Sequence, residues 1–230
     1  MTIQEILKQS VKGDALLWVR ELGGLEYPNV SLVNEFINKL SDGQINILKR
    51  KFNGLGNISQ IRDILAEIII ARKFMEYEPE FLAESDSSTP DIYLRTREEY
   101  IEVKRLGNSD DFENFAQKLH NLKKAIGSDF HGLSDKVIVV NENETRKEIK
   151  EFLNKKAKEL LDKGREQLKD KEGFIYFLYS IAPDPAYAVK MKNQAIVSLN
   201  KLTEELLREY LEKYSKEYNI KILHERDINY

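Results

Sequence analysis

The sequence predicts an α/β fold, a mixed central β-sheet flanked by helices, preceded by a helical N-terminal region. Three observations predict it. Apolar residues recur at helical spacing through residues 1–53. The stretch Gly54-Leu55-Gly56-Asn57 then breaks that pattern. Beyond it, helical periodicities alternate with short apolar runs rich in β-branched and aromatic residues, the order that builds mixed α/β layers. The division this implies is a helical region over 1–56 and an α/β domain over 57–230.

The elements follow in chain order. Ile3, Ile6, Leu7 and Val11 share one helical face, as do Leu16, Leu17, Val19 and Leu22 before Gly23-Gly24. Ser31 can cap a helix carrying Leu32, Val33, Phe36, Ile37 and Leu40, and Ile45, Ile47 and Leu48 begin a shorter one. A long amphipathic helix is expected from Ser59 to about Tyr77, with Ile61, Ile64, Leu65, Ile68 and Ile69 on its apolar face and Glu67 at the margin. A strand through Phe81 and Leu82 and the loop Ser85-Asp86-Ser87-Ser88 lead to a β-hairpin. Ile92 and Leu94 lie on its first strand, Arg95-Thr96-Arg97-Glu98 forms the turn, and Ile101 and Val103 lie on its second. A helix from Asp110, a buried strand over Lys136–Val140 and a charged helix from Thr145 that stops at Gly164 come next. A strand over Gly173–Tyr179, a helix over Thr203–Tyr218 and a last strand over Ile220–Leu223 complete the chain.

The hairpin concentrates the chemistry. Side chains alternate faces along a strand, so Glu102 and Lys104 point one way while Ile101 and Val103 point the other, into a core. Pro90-Asp91 opens the neighbouring strand. A carboxylate and an ammonium side by side on a rigid strand, with a second carboxylate next door, can hold a divalent ion and position a water. Several carboxylates brought together repel one another unless a cation joins them.

Pro90-Asp91 and Glu102-Val103-Lys104, at the start of one central strand and within the next, resemble the motif of the PD-(D/E)xK nuclease superfamily, the restriction-endonuclease-like fold. The resemblance covers roughly Ser59 to Val140, where a helix, three strands, a helix and a strand are similar to the family core. It implies Mg²⁺-dependent hydrolysis of phosphodiester bonds in DNA, with roles in defence, recombination or repair, and products carrying a 5′-phosphate. Asp91 and Glu102 would bind Mg²⁺, for which Mn²⁺ can substitute, and the Val103 carbonyl could add an oxygen. Glu67 matches the helical acidic position that often joins the family's site. It is equally readable as an edge residue of an apolar stripe. Lys104 would orient the attacking water or offset charge in the transition state. Arg105, Lys118, Lys123 and Lys124 are candidates for contact with nucleic-acid phosphates, against the simpler reading of a solvated helical face for the last three. A homodimer fits an enzyme that cuts two strands. The same core in a silent form would serve as a nucleic-acid or protein binding module.

Other readings are weaker or excluded. Pro183-Asp184 has no acidic-x-Lys downstream, and Glu148-Ile149-Lys150 sits in an expected helix, where residues two apart diverge by roughly 200°. His120, His131 and His224 have no paired spacing, and no Gly-rich phosphate loop occurs. The 230 residues contain no cysteine, which excludes disulfides, zinc-thiolate sites and thiol nucleophiles. With 36 basic and 39 acidic residues the net charge is −3, which argues against a protein that coats DNA but not against an acidic metal site. The first residues show no basic segment leading into an apolar run, and no apolar stretch spans a bilayer, so a cytoplasmic chain without a membrane partner is expected.

Overall fold

The structure, a computed structural model, describes residues 1–13, 16, 30–83, 89–106, 138–179, 187–190 and 196–226. Within them the chain is α/β, with six α-helices and a five-stranded mixed open sheet. No described helix is long and apolar enough to cross a membrane. Two compact units divide the chain. The first holds residues 1–105, 163–178 and 220–230, and the second residues 106–162 and 179–219.

Among the described residues the first unit begins with four helices: α1 (Ile3–Ser10), α2 (Val30–Ile37), α3 (Asp42–Phe52) and α4 (Ile58–Lys73). Local chemistry fixes their starts. Thr2 and Glu5 form a reciprocal capping box on α1. Ser41 caps α3, and Asn57 caps α4. Helix α4 ends at Lys73, short of the expected Tyr77, because Met75–Tyr77 tighten into a 3-10 turn that closes with Glu78 in the left-handed region at φ 51°. Most of the expected helix around Leu16–Leu22 lies outside the described residues.

Strands β1 (Pro79–Phe81), β2 (Ile92–Leu94) and β3 (Glu99–Leu106) form an antiparallel meander, with Phe81 opposite Ile92 and Ile92 opposite Ile101. Two later strands, β5 (Gly173–Tyr179) and β8 (Lys221–Arg226), complete the sheet in the order β1-β2-β3-β5-β8. One apolar core joins the N-terminal helices to the sheet: Ile6, Leu7, Phe36, Leu48 and Phe52 belong to the same buried cluster as Ile68, Ile92, Ile101 and Phe174. Each such side chain contributes about 1.5–3 kcal/mol on burial. Residues 1–56 therefore share a core with the sheet, and the Gly54–Asn57 break falls inside the unit.

The second unit contains β4 (Ile138–Asn141), β6 (Tyr187–Lys190) and β7 (Ile196–Ser198) as a three-stranded sheet, β4 parallel and β7 antiparallel to β6. Helix α5 (Glu142–Gln167) and helix α6 (Leu199–Tyr218) bury Ile149, Phe152, Leu153, Leu206, Leu207 and Leu211. Tyr218 donates to Asp162 at 2.5 Å.

The strand beside β3 is β5, whereas the run ending at Val140 forms β4 of the other sheet. The reason is burial: after Gly173 every residue of β5 is buried, as a strand covered on both faces requires, and the sheet places it centrally. Helix α5 also does not stop at Gly164 but runs to Gln167. Gly164 serves close approach instead: a Cβ there would stand 3.0 Å from the Ile175 side chain and 3.4 Å from Lys104 Cε.

Gly173 is stricter. A Cβ at that position would overlap the Tyr100 carbonyl, where β5 enters the sheet and Tyr100 N–H donates to Glu172 at 2.8 Å. Backbone cannot yield as a side-chain tip can. Gly173→Ala should therefore cost at least about 1–3 kcal/mol, the usual range for overpacking. Urea denaturation followed by circular dichroism reads this, and an unchanged midpoint would disprove the close approach.

Candidate functional site

All the described candidate residues lie in the first unit. Ile101 and Val103 enter its core, as alternation requires. Glu102 is on the opposite face yet is only 1% exposed. Lys104 donates to Glu102 Oε1, so the pair shares a face as the spacing predicts. Asp91, just before β2, accepts the backbone N–H of Val103 on Oδ2 at 2.8 Å. That bond ties its carboxylate to the strand that carries Glu102 and Lys104. The Asp91 backbone carbonyl in turn accepts from Leu82 N–H at 3.1 Å, fixing the entry to the hairpin from its other side.

Two partners were not legible in the sequence. Lys51, from α3, donates to Glu67 Oε2 at 2.7 Å and lies 3.7 Å from Asp91 Oδ1, with only 4% of its side chain exposed. It links the helical N-terminal region to the carboxylates. Gln167, the last residue of α5, accepts from Lys104 at 2.7 Å and donates to the Thr89 carbonyl at 3.3 Å. One amide thus ties the lysine to the loop that presents Asp91. A basic run at the end of one helix and a glutamine at the end of another carry no sequence signal of such partners, since both contacts are tertiary.

Glu102 holds the electrostatic tension of the site. Its carboxyl is pushed up to about 9, first by burial and then by the Asp91 charge, with a further push from Glu67; Lys104 opposes all three. Its second oxygen, Oε2, is buried with no hydrogen-bond partner. A buried carboxylate oxygen left unsatisfied costs free energy.

The donor set bears on whether a divalent ion fits. Asp91 and Glu102 supply hard oxygens, one of them the orphaned Oε2. Glu67 turns to Lys51 instead, and no group of three or more His, Cys, Asp or Glu among the described residues is arranged to hold an ion. Asp91 and Glu102 thus offer oxygens of the kind that hard cations take.

Arg105 does not face solvent. Its side chain, 4% exposed, binds Asp63 Oδ1 at 2.7 Å and Ser59 Oγ at 3.1 Å, which fastens β3 to the first turn of α4. Arg105, a candidate for phosphate contact, is thus engaged by Asp63 and Ser59. Burial raises the Asp63 carboxyl, and the Arg105 guanidinium opposes that rise. Lys118, Lys123 and Lys124, and the helix expected from Asp110, lie outside the described residues.

The Gln167 bridge makes a separable prediction. Gln167→Leu keeps the volume but removes the acceptor for Lys104 and the donor to Thr89. Any hydrolytic rate should fall about 10-fold, the cost of roughly 1.4 kcal/mol in positioning, while stability falls by about 1 kcal/mol. Single-turnover kinetics beside thermal melts would separate the two effects. A rate equal to wild type would show that the amide does not position Lys104.

No protein-family model matches the chain, and neither a curated protein nor a solved structure matches it.

Proposed function

We propose that this chain is a metal-dependent nuclease of the PD-(D/E)xK type, a cytoplasmic enzyme that hydrolyses DNA phosphodiester bonds in defence, recombination or repair. One observation carries the reading: Glu102 is buried with Oε2 unsatisfied, between Lys104 on its own strand and the Asp91 carboxylate tied to that strand. Nothing in packing calls for a carboxyl there. An apolar side chain would fill the space without the desolvation cost.

Asp91 and Glu102 would hold Mg²⁺ or Mn²⁺, with the Val103 carbonyl as a further donor. When bound, the ion supplies an acidified water and a Lewis acid for the phosphate. The protein's own groups do the rest. An ammonium has three N–H donors. Two of those on Lys104 go to Glu102 and Gln167, which aims the third and leaves it for the attacking water or a phosphate oxygen. Glu67 acts through Lys51, as the group that keeps this second ammonium beside Asp91.

A second reading has its own observation. Lys51 and Lys104 already pair with acidic residues at the site, as in a nuclease fold that binds nucleic acid or a protein without cutting. Melting with and without Mn²⁺ discriminates the two. The nuclease reading expects a rise in the melting temperature that vanishes in Asp91→Ala. No Mn²⁺ effect, together with retained binding of nucleic acid, favours the silent module.

A further inference from the structure

We propose that the cleft beside Lys51 is a subsite for a backbone phosphate of nucleic acid, so that α3 of the helical N-terminal region belongs to the binding machinery. The proposal deepens the nuclease reading and rests on it. The cleft has a volume of about 220 Å³ and is lined by Ile47, Arg50, Lys51 and Ala83. That is smaller than the roughly 300–1,000 Å³ of drug-sized sites, and several times the roughly 30 Å³ share of one water. A phosphate group fits the range between.

Arg50 is the cation the cleft offers to an anion. Lys51 lines the cleft while bonded to Glu67 and standing 3.7 Å from Asp91, so the cleft adjoins the carboxylate site. Ala83 follows Leu82, whose N–H binds the Asp91 carbonyl, so the opposite wall is also fixed to that site. Arg50 is exposed, and the only hydrogen bond of its guanidinium among the described residues runs from Nε to the Asn46 carbonyl at 3.4 Å. Its terminal nitrogens remain for a ligand, and a guanidinium fork suits phosphate. Basic residues in the last turn of α3 also offset the helix dipole, which accounts for Lys49 without a ligand. Glu67 and Asp91 account for Lys51, so Arg50 is the cation for which the cleft gives a reason.

The test uses Arg50→Gln, because Lys51→Gln would leave Glu67 buried without its cation. A fluorescent single-stranded DNA oligonucleotide is titrated with the full chain in EDTA, and anisotropy is read over a salt series. Arg50→Gln should weaken binding about 3- to 10-fold and reduce the salt slope by about 0.7, the loss of one phosphate contact on a single strand. Lys8→Gln, at an exposed position of α1, should change neither. Equal binding by wild type and Arg50→Gln overturns the subsite, as does a wild type that does not bind the oligonucleotide. In a second arm, inorganic phosphate should compete only weakly. Competition by phosphate as strong as by unlabelled strand would make this a free-phosphate site and overturn the assignment to a strand. None of these readouts depends on cleavage, so loss of the subsite and loss of the nuclease reading are told apart.

Discussion

Lys104→Ala should abolish metal-dependent hydrolysis while the protein remains folded. The expected loss in turnover is about 10²–10³-fold, the scale set by removing one preorganised donor from a developing charge. Among the described residues Lys104 is the only ammonium bonded to Glu102, and its position is fixed from two sides by Glu102 and Gln167. The substitution leaves two acceptors, Glu102 Oε1 and Gln167 Oε1, without that donor. Their loss costs about 1–3 kcal/mol. The cost is softened because the Glu102 carboxyl, already pushed up to about 9, holds its proton more firmly once the opposing lysine charge is gone. Turnover measured with Mg²⁺ beside a thermal melt therefore gives a large kinetic effect and a modest stability effect. A fully active Lys104→Ala would remove the lysine from the mechanism.

Glu102→Gln should do the opposite to stability and the same to activity. In the fold the Glu102 carboxyl is raised from 4.5 to about 9 by burial and by Asp91. Below pH 4.5 the folded and unfolded chains both carry the proton, and the group costs the fold nothing. Between there and about 9 the unfolded chain ionises while the folded one holds its proton, so stability falls as pH rises through that window. Glutamine cannot ionise and removes this slope. At pH 8 in EDTA, Glu102→Gln should melt at least about 5 °C above wild type, given about 2–4 °C per kcal/mol at this chain length. The two proteins should converge near pH 4.5. The same variant should lose hydrolysis, since an amide is a poor ligand for a hard cation. A gain in stability bought by a loss of activity marks a residue kept for function. Melts over a pH series read the effect, and parallel curves for the two proteins would contradict the buried, strained carboxyl.

The hairpin was legible in the sequence because a short-range rule governs it. Alternation put Glu102 and Lys104 on one face, and the Arg95–Glu98 turn set a register in which Ile92 meets Ile101. That register brings Asp91 to Val103 with no long-range information. Helices α1, α3 and α4 were legible from periodicity. The partner strand of β3 was not, because two apolar runs, one ending at Val140 and one over Gly173–Tyr179, looked alike and only tertiary packing chose between them. Gly164 misled for a related reason. Read locally a glycine ends a helix, whereas here it lets Lys104 and Ile175 approach one. Lys51 and Gln167 were invisible because their partners lie 16 and 63 residues away. What they add is the second ammonium and the amide that hold the acidic residues and Lys104 in one arrangement.

The most direct measurement is cleavage of labelled duplex, single-stranded and branched DNA by the purified protein with Mg²⁺ or Mn²⁺, run beside Lys104→Ala and Glu102→Gln. The account predicts products from at least one substrate that carry a 5′-phosphate, require the ion and disappear in both variants. Intact substrates with wild type under either ion, or cleavage that survives both substitutions, would contradict it.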